Sequence, residues 1–220
     1  TSLLTALNYF WKRDKRILMK EIGMCGAGLS FNQTSHSGSG LLLGATPDAI
    51  LCHPDGRIEA VEVKNHCPFV PNNGRYNRNN DKRSKQEKNA AFRLSQQTLS
   101  SKGAFMSQYI PQLMMEMLCL GENCKSAIMV RQTATSGALI LRIARDDEWI
   151  EEMIYWLERF HNDFVQNETP PPENFFLESA DPTDQTRYKK FLDLTKQVES
   201  KVELLEHVPH RSIQRAMAKH

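Results

Sequence analysis

The stretch "GATPDAILCHPDGRIEAVEVKNH", residues Gly44 to His66, decides the fold of this chain. Apolar and polar residues alternate on both sides of "HPDG", which is typical of a tight turn. We therefore expect two antiparallel strands joined by this turn. In such a hairpin Asp48 lies beside Glu62. Glu62 and Lys64 share one face of the second strand, because alternate side chains of a strand point the same way.

The residue types in this hairpin suit the hydrolysis of a phosphodiester. Two neighbouring carboxylates, Asp48 and Glu62, offer the hard oxygen ligands that Mg²⁺ or Mn²⁺ prefers, and the carbonyl of Val63 is a candidate further ligand. Lys64 could then orient the attacking water and stabilise the charge that develops. The same letters also fit a Pro-Asp turn and a solvated strand face with a loose ion pair.

The segments around the hairpin predict alternating helices and strands. The order of these elements predicts an α/β fold with a central mixed β-sheet flanked by helices. The predicted elements outside the hairpin are a helix over residues 2–21, an exposed loop over 68–81, a basic helix over 82–101, a buried helix within "FMSQYIPQLMMEMLCLG", a strand pair "SAIMVRQT" and "GALILRIA", and an amphipathic helix within "RDDEWIEEMIYWLERFHNDFV".

The end of the chain is predicted to be an addition to this core. Three consecutive prolines, Pro170 to Pro172, cannot continue a helix. Beyond them, apolar residues recur at helical spacing over residues 185–206. We therefore expect a domain over residues 1–168, followed over 169–220 by a Pro-rich break and a C-terminal helical appendage.

Composition narrows the class of protein. The 220 residues are 40% hydrophobic and 25% charged, which is sufficient for a packed core. The sequence contains neither an apolar run long enough to span a membrane nor a signal pattern. Its five cysteines lack the paired spacing of a zinc site or a disulfide framework, which indicates reduced thiols and an intracellular location, in cytoplasm, nucleus or organelle.

Charge is distributed unevenly along the chain. The formal net charge of +2 does not by itself indicate a nucleic-acid-binding protein, but residues 75–93 contain seven Lys and Arg. Beside a phosphodiester site, such a stretch is a candidate contact for the DNA backbone. The candidate nucleic-acid-binding residues are Arg75, Arg78, Lys82, Arg83, Lys85 and Lys88.

Three short motifs together resemble the PD-(D/E)xK nucleases, and within them the lambda-exonuclease or YqaJ-like viral recombinase family. These are "TPDA" at 46–49, "EVK" at 62–64 followed by "CP" at 67–68, and "YIPQ" at 109–112, which matches that family's Tyr-x-x-Gln helix. The resemblance spans roughly residues 1–165 and implies a restriction-endonuclease-like core.

The resemblance also implies roles for particular residues. Asp48 and Glu62 would bind Mg²⁺ or Mn²⁺, Lys64 would orient the water, and Gln112 would contact the water or the scissile phosphate. The implied protein is a metal-dependent 5′-to-3′ exonuclease on double-stranded DNA ends, acting in recombination or repair and assembling as a ring-shaped trimer. A buried helix glutamine satisfied by backbone groups is the alternative interpretation of Gln112.

The sequence departs from the family pattern in three places. The family carries a glutamate in its first helix, near the position of Ser2 and Leu3, so that residue is either lost or supplied by an upstream segment. Asn65 and His66 separate Lys64 from "CP", and the loop over 70–90 is longer. Two alternatives stay open. One is a structure-specific endonuclease on the same core, since one fold supports many activities. The other is a catalytically impaired DNA-binding or assembly module, which the missing glutamate favours.

Overall fold

The computed structural model describes residues 2–30, 41–67, 69–71, 92–94, 107–134, 136–176 and 182–212. The helices are α1 (Ser2–Trp11), α2 (Ile110–Leu120), α3 (Asp147–Phe160) and α4 (Pro182–Ser200). The strands are β1 (Leu18–Lys20), β2 (Cys25–Ser30), β3 (Leu42–Ala45), β4 (Ala49–Cys52), β5 (Ile58–His66), β6 (Phe69–Pro71), β7 (Phe92–Leu94), β8 (Cys124–Thr133), β9 (Gly137–Ala144) and β10 (Glu203–Val208).

The described elements form an α/β structure around a mixed six-stranded sheet, as the sequence predicts. The strand order in this sheet is β1-β4-β5-β8-β9-β10. Strands β5 and β8 pair in parallel, and the other neighbours pair antiparallel. The predicted hairpin is β4–β5, with Ala49 opposite Val61 and Cys52 opposite Ile58. Because β5 and β8 are parallel, the chain must cross over between them, and α2 lies in this crossover.

Helices cover the two faces of the sheet unequally. On one face, Ala6 and Phe10 of α1 pack against Val61 and neighbouring buried strand residues. On the opposite face, side chains of α2 and α3 pack against Ala60 and other apolar strand residues. Val61 and Ala60 belong to different faces because successive strand residues alternate. This alternation assigns Glu62 and Lys64 to the face that α2 covers.

Helix α2 is held in place at both ends. Pro111 lies in its first turn, where its missing N–H costs no intrahelical hydrogen bond. Gly121 follows the last turn with φ of 90°, and its N–H donates to the carbonyl of Leu118. Nη1 of Arg145 also donates to the carbonyls of Met117 and Gly121, at 3.0 and 3.2 Å. These bonds tie the end of α2 to Arg145, which follows β9, while buried side chains of α2 pack against the sheet face that carries Glu62.

The C-terminal segment differs from its predicted structure. The helix begins at Pro182 and ends at Ser200, and residues 203–208 form β10, an edge strand paired with β9. Val198 of α4 is only 2% exposed and belongs to the core that contains α2 and α3. The prediction of a purely helical appendage is therefore wrong for its last part, while the domain boundary at 168 stays a prediction.

Two other segments also differ from expectation. The first helix ends at Trp11 rather than continuing to residue 21, and Leu18–Lys20 pairs with β4 instead. Residues 69–71 and 92–94, predicted to be loop and basic helix, pair as β6 and β7. The rest of those two predicted segments lies outside the described residues. Among the helices that are described, none has the length and apolarity needed to cross a membrane, and all five cysteines are free thiols.

Candidate active site

The β4–β5 hairpin brings Asp48 next to the Glu-x-Lys motif. Asp48 precedes Ala49, which pairs with Val61, so its carboxylate lies beside the following residues of β5. Oδ2 of Asp48 accepts a hydrogen bond from the backbone N–H of Val63 at 2.7 Å. This bond fixes one oxygen of Asp48 at the point where the ladder between the two strands ends.

Lys64 connects the hairpin to α2. Its Nζ donates to Oε1 of Glu62 at 2.6 Å and to Oε1 of Gln112 at 2.7 Å. The same ammonium lies 5.6 Å from the centroid of the Tyr109 ring, where a cation–π attraction operates. The structure thus brings together residues from all three motifs on which the resemblance rests. Gln112 is exposed and bonded to side chains, which disagrees with its alternative interpretation as a buried, backbone-satisfied residue.

A fourth charged residue, Glu116, lies in the same cluster, and the sequence analysis does not identify it. Nε2 of Gln112 donates to Oε1 of Glu116 at 2.9 Å. Glu116 is 1% exposed and occupies an otherwise apolar stretch of α2. Its other oxygen, Oε2, is buried without a hydrogen-bond partner among the described residues. The available sequence signal is its position four residues after Gln112, which places both side chains on one helix face.

The cluster becomes more buried from its surface inward. Asp48 and Gln112 are exposed, the Lys64 side chain is 25% exposed, and Glu62 is 6% exposed. Burial, and after it the charges of Glu62 and Asp48, raise the pKa of Glu116 from 4.5 to about 8, against the opposing effects of Gln112 and Lys64. Glu116, the deepest carboxyl group, therefore holds a proton near neutral pH, while Asp48 and Gln112 face solvent.

The carboxylates are engaged with protein donors as they stand. In the part of the chain that the structure describes, no three His, Cys, Asp or Glu side chains are grouped so that they could hold a metal ion. Glu62 pairs with Lys64, and Asp48 with a backbone N–H. The carboxylates of Asp48 and Glu62 repel each other, and these hydrogen-bond donors hold each of them in its own position.

Helix α1 does not contribute to this cluster. Oγ of Ser2, which stands near the position where the resemblance implies a glutamate, donates to Oδ1 of Asn65 at 2.7 Å. Asn65 and Lys64 are adjacent on β5 and therefore point to opposite faces. Lys64 is instead linked to a carboxyl group of α2, that of Glu116, through the Gln112 amide.

Two histidines that neighbour cysteines in the sequence, His53 and His66, bond to residues outside the cluster. His53 bonds to Glu59 at 2.8 Å, and His66 accepts from Nε of Arg131 at 3.2 Å, so neither joins a cysteine in a zinc site. The six predicted nucleic-acid-binding residues lie outside the described residues. They are Arg75, Arg78, Lys82, Arg83, Lys85 and Lys88.

Comparison with models of known protein families, with curated proteins and with solved structures gives no match to this chain.

Proposed function

We propose that this protein is a metal-dependent deoxyribonuclease with a restriction-endonuclease-like core, and that Asp48, Glu62, Lys64 and Gln112 form its active site. The contact that carries the proposal is the Lys64 ammonium, held at once by Glu62 and by Gln112, 48 residues away in sequence. In an ordinary surface ion pair, the lysine has no need of a second partner from a distant part of the chain. A catalytic lysine needs such a partner, because its charge must be held at one fixed place to act on the reaction.

The residues of the cluster fit a divalent cation chemically. Asp48, Glu62 and the carbonyl of Val63 offer hard oxygens of the kind that Mg²⁺ and Mn²⁺ prefer. Oε2 of Glu116 is buried without a hydrogen-bond partner among the described residues, and burial, followed by the charges of Glu62 and Asp48, raises the pKa of Glu116, so the ionised form of this group lacks compensation in the protein alone. When bound, Mg²⁺ or Mn²⁺ supplies Lewis-acid polarisation of the phosphoryl group.

The protein residues then have separable roles. Asp48 and Glu62 would hold the cation where the β4–β5 ladder ends. The Lys64 ammonium orients the attacking water and stabilises the negative charge that develops on the phosphoryl oxygens. Gln112 fixes the direction of Lys64 through its Oε1, and Glu116 fixes which end of the Gln112 amide faces the lysine.

DNA is the proposed substrate. The supports are the basic stretch over residues 75–93, which suits backbone phosphates, and the resemblance to exonucleases of double-stranded DNA ends in recombination and repair. The 5′-to-3′ polarity and the ring trimer rest on that resemblance alone. A catalytically impaired DNA-binding module is the second candidate, favoured by the absence of a carboxylate at Ser2 and Leu3.

Titration of the protein with Mg²⁺ or Mn²⁺ on end-labelled linear and covalently closed circular duplexes tests the proposal. We expect metal-dependent shortening of the linear duplex and an intact circle. Asp48→Asn should reduce the rate at least about 10²-fold. Asp55→Asn is the matched control, since Asp55 is an exposed aspartate in the β4–β5 turn whose partner is Arg57. A folded parent that degrades neither duplex at any metal concentration contradicts the nuclease proposal.

A further inference from the structure

Glu116 has a position that packing alone does not explain. The side chains around it on α2, including Leu113, Met114 and Met117, are fully buried core residues. A carboxyl group in such surroundings is costly unless its oxygens are hydrogen-bonded or its charge is compensated. Only Oε1 has a partner, the Gln112 amide, while Oε2 is buried with none among the described residues.

The surroundings of Glu116 are acidic. Glu62 and Asp48 act on it with repulsive charge, and Lys64 is the opposing positive charge. Lys64 itself bonds to Glu62 and Gln112, and its contact with Glu116 passes through the Gln112 amide. Among the described residues, three carboxyl groups therefore share one ammonium, and the most buried of them keeps an oxygen without a hydrogen-bond partner.

We propose that Glu116 is the third carboxylate of the divalent-cation site, joining Asp48 and Glu62 when a cation binds. This inference rests on the proposed function, because it concerns the same cation. It assigns to α2 the helical carboxylate that the sequence does not provide on α1. With a cation beside it, Glu116 would bind in its ionised form, and the cation would compensate that charge at the least solvated carboxylate of the cluster.

Binding of Mn²⁺ to the whole chain, in the absence of DNA, tests the proposal without reference to catalysis. The free Mn²⁺ signal in electron paramagnetic resonance gives the dissociation constant. We expect Glu116→Gln to raise this constant at least about tenfold, since even groups that only support metal ligands contribute 10–100-fold to affinity. Thermal unfolding without metal checks that the variant is folded.

Glu59→Gln is the matched control. Glu59 is also 1% exposed, but its carboxylate is bonded to His53, Ser126 and Arg142 on the other face of β5. This variant should lose thermal stability and keep the parental Mn²⁺ affinity. A merely structural role for Glu116 predicts the same pattern for Glu116→Gln, and that result overturns the proposal.

The outcomes separate this inference from the proposed function. If the parent binds neither Mn²⁺ nor Mg²⁺, both are wrong. If the parent binds and Glu116→Gln binds equally well, only the role of Glu116 is wrong. Should Glu116→Gln not fold, Glu116→Asp keeps the charge on a shorter side chain. Mn²⁺ binding several-fold weaker than the parent then supports the proposal, and parental affinity overturns it.

Discussion

Two glutamates, Glu59 and Glu116, are equally buried in this protein, and their surroundings are opposite. Each is 1% exposed. Oε1 of Glu59 accepts from Ser126 at 2.6 Å and from Nε of Arg142 at 2.8 Å, and Oε2 bonds to His53 at 2.8 Å. Glu116 has one hydrogen bond, from an exposed glutamine, and one oxygen without a partner among the described residues.

The pKa values of the two groups reflect this difference. Burial by itself raises the pKa of Glu59, but hydrogen bonds from Arg142 and Ser126 outweigh burial and leave it below its ordinary 4.5. Burial raises the pKa of Glu116 as well, and Glu62 adds to the rise, so that it reaches about 8.

The comparison shows that burial of a charged residue does not indicate its role. Partners do. A buried carboxylate with a full set of donors is a structural element of the fold, and one whose neighbours are other carboxylates is a candidate for binding or catalysis. In this chain Glu59 lies on one face of β5, and Glu116 lies on α2, which covers the opposite face of that strand.

The largest expected effect on stability is the pH dependence due to Glu116. In the metal-free protein the folded chain retains a proton on Glu116 that the unfolded chain loses above pH 4.5. This proton contributes to the free energy of unfolding. The contribution is fully present below pH 4.5 and is lost as pH rises to about 8, and the loss is on the order of a few kcal/mol. Glu116→Gln removes this dependence, which urea unfolding across that range measures. If the free energy of unfolding changes with pH in the same way for the parent and the variant, Glu116 does not have the raised pKa assigned to it.

The second largest effect on stability is expected when Glu59 loses its partner Arg142. Arg142→Leu leaves the carboxylate of Glu59 with His53 and Ser126 only, and we expect a loss of about 3 kcal/mol in the free energy of unfolding. Because the pKa of Glu59 is lowered, its contribution is present above pH 4.5 and lost as pH falls through its folded value. This acid-side dependence should weaken in the variant.

Arg13→Leu is the control for that measurement. Arg13 and Glu206 form an ion pair at 3.8 Å with both side chains about half exposed, a class of pair that contributes about 0–1 kcal/mol. Equal losses for the Arg142 and Arg13 variants would contradict the structural role assigned to the Glu59 network.

The smallest effect is expected at Gln112, which is exposed and joins Lys64 to Glu116. Gln112→Ala removes the hydrogen bond that lowers the pKa of Glu116, so the upper end of the pH-dependent range should move above pH 8. The change in stability at pH 7 should be about 1 kcal/mol. Gln197→Ala, at an exposed position of α4, is the control and should leave the range unchanged.

The sequence predicts the strands of the site better than the helix that completes it. Asp48 and Glu62 are neighbours because turn residues and alternation specify the β4–β5 hairpin, and both signals are local. Glu116 escapes prediction because a lone glutamate on an apolar helix is ordinarily assigned to the surface. Its burial depends on how α2 packs across β5, which is a tertiary property.

The errors at the two ends of the chain have physical causes as well. After Trp11, Asp14 accepts hydrogen bonds from the backbone N–H and side chain of Arg16, a local alternative to continuing the helix. At the other end, Glu203–Val208 becomes a strand because the edge of β9 is available for pairing. Neither a competing turn nor a free sheet edge is visible in helical periodicity alone.

The most direct test of the account is a paired measurement on Lys64→Ala, of DNA cleavage rate and of Mn²⁺ affinity, beside Lys125→Ala at an exposed position of β8. The account predicts that Lys64→Ala remains folded, binds Mn²⁺ with at least the parental affinity because all three carboxylates are kept, and cleaves about 10²–10³-fold more slowly. Lys125→Ala should match the parent in both. A folded Lys64→Ala protein that degrades DNA at the parental rate would contradict the central claim that this lysine, held between Glu62 and Gln112, carries the chemistry.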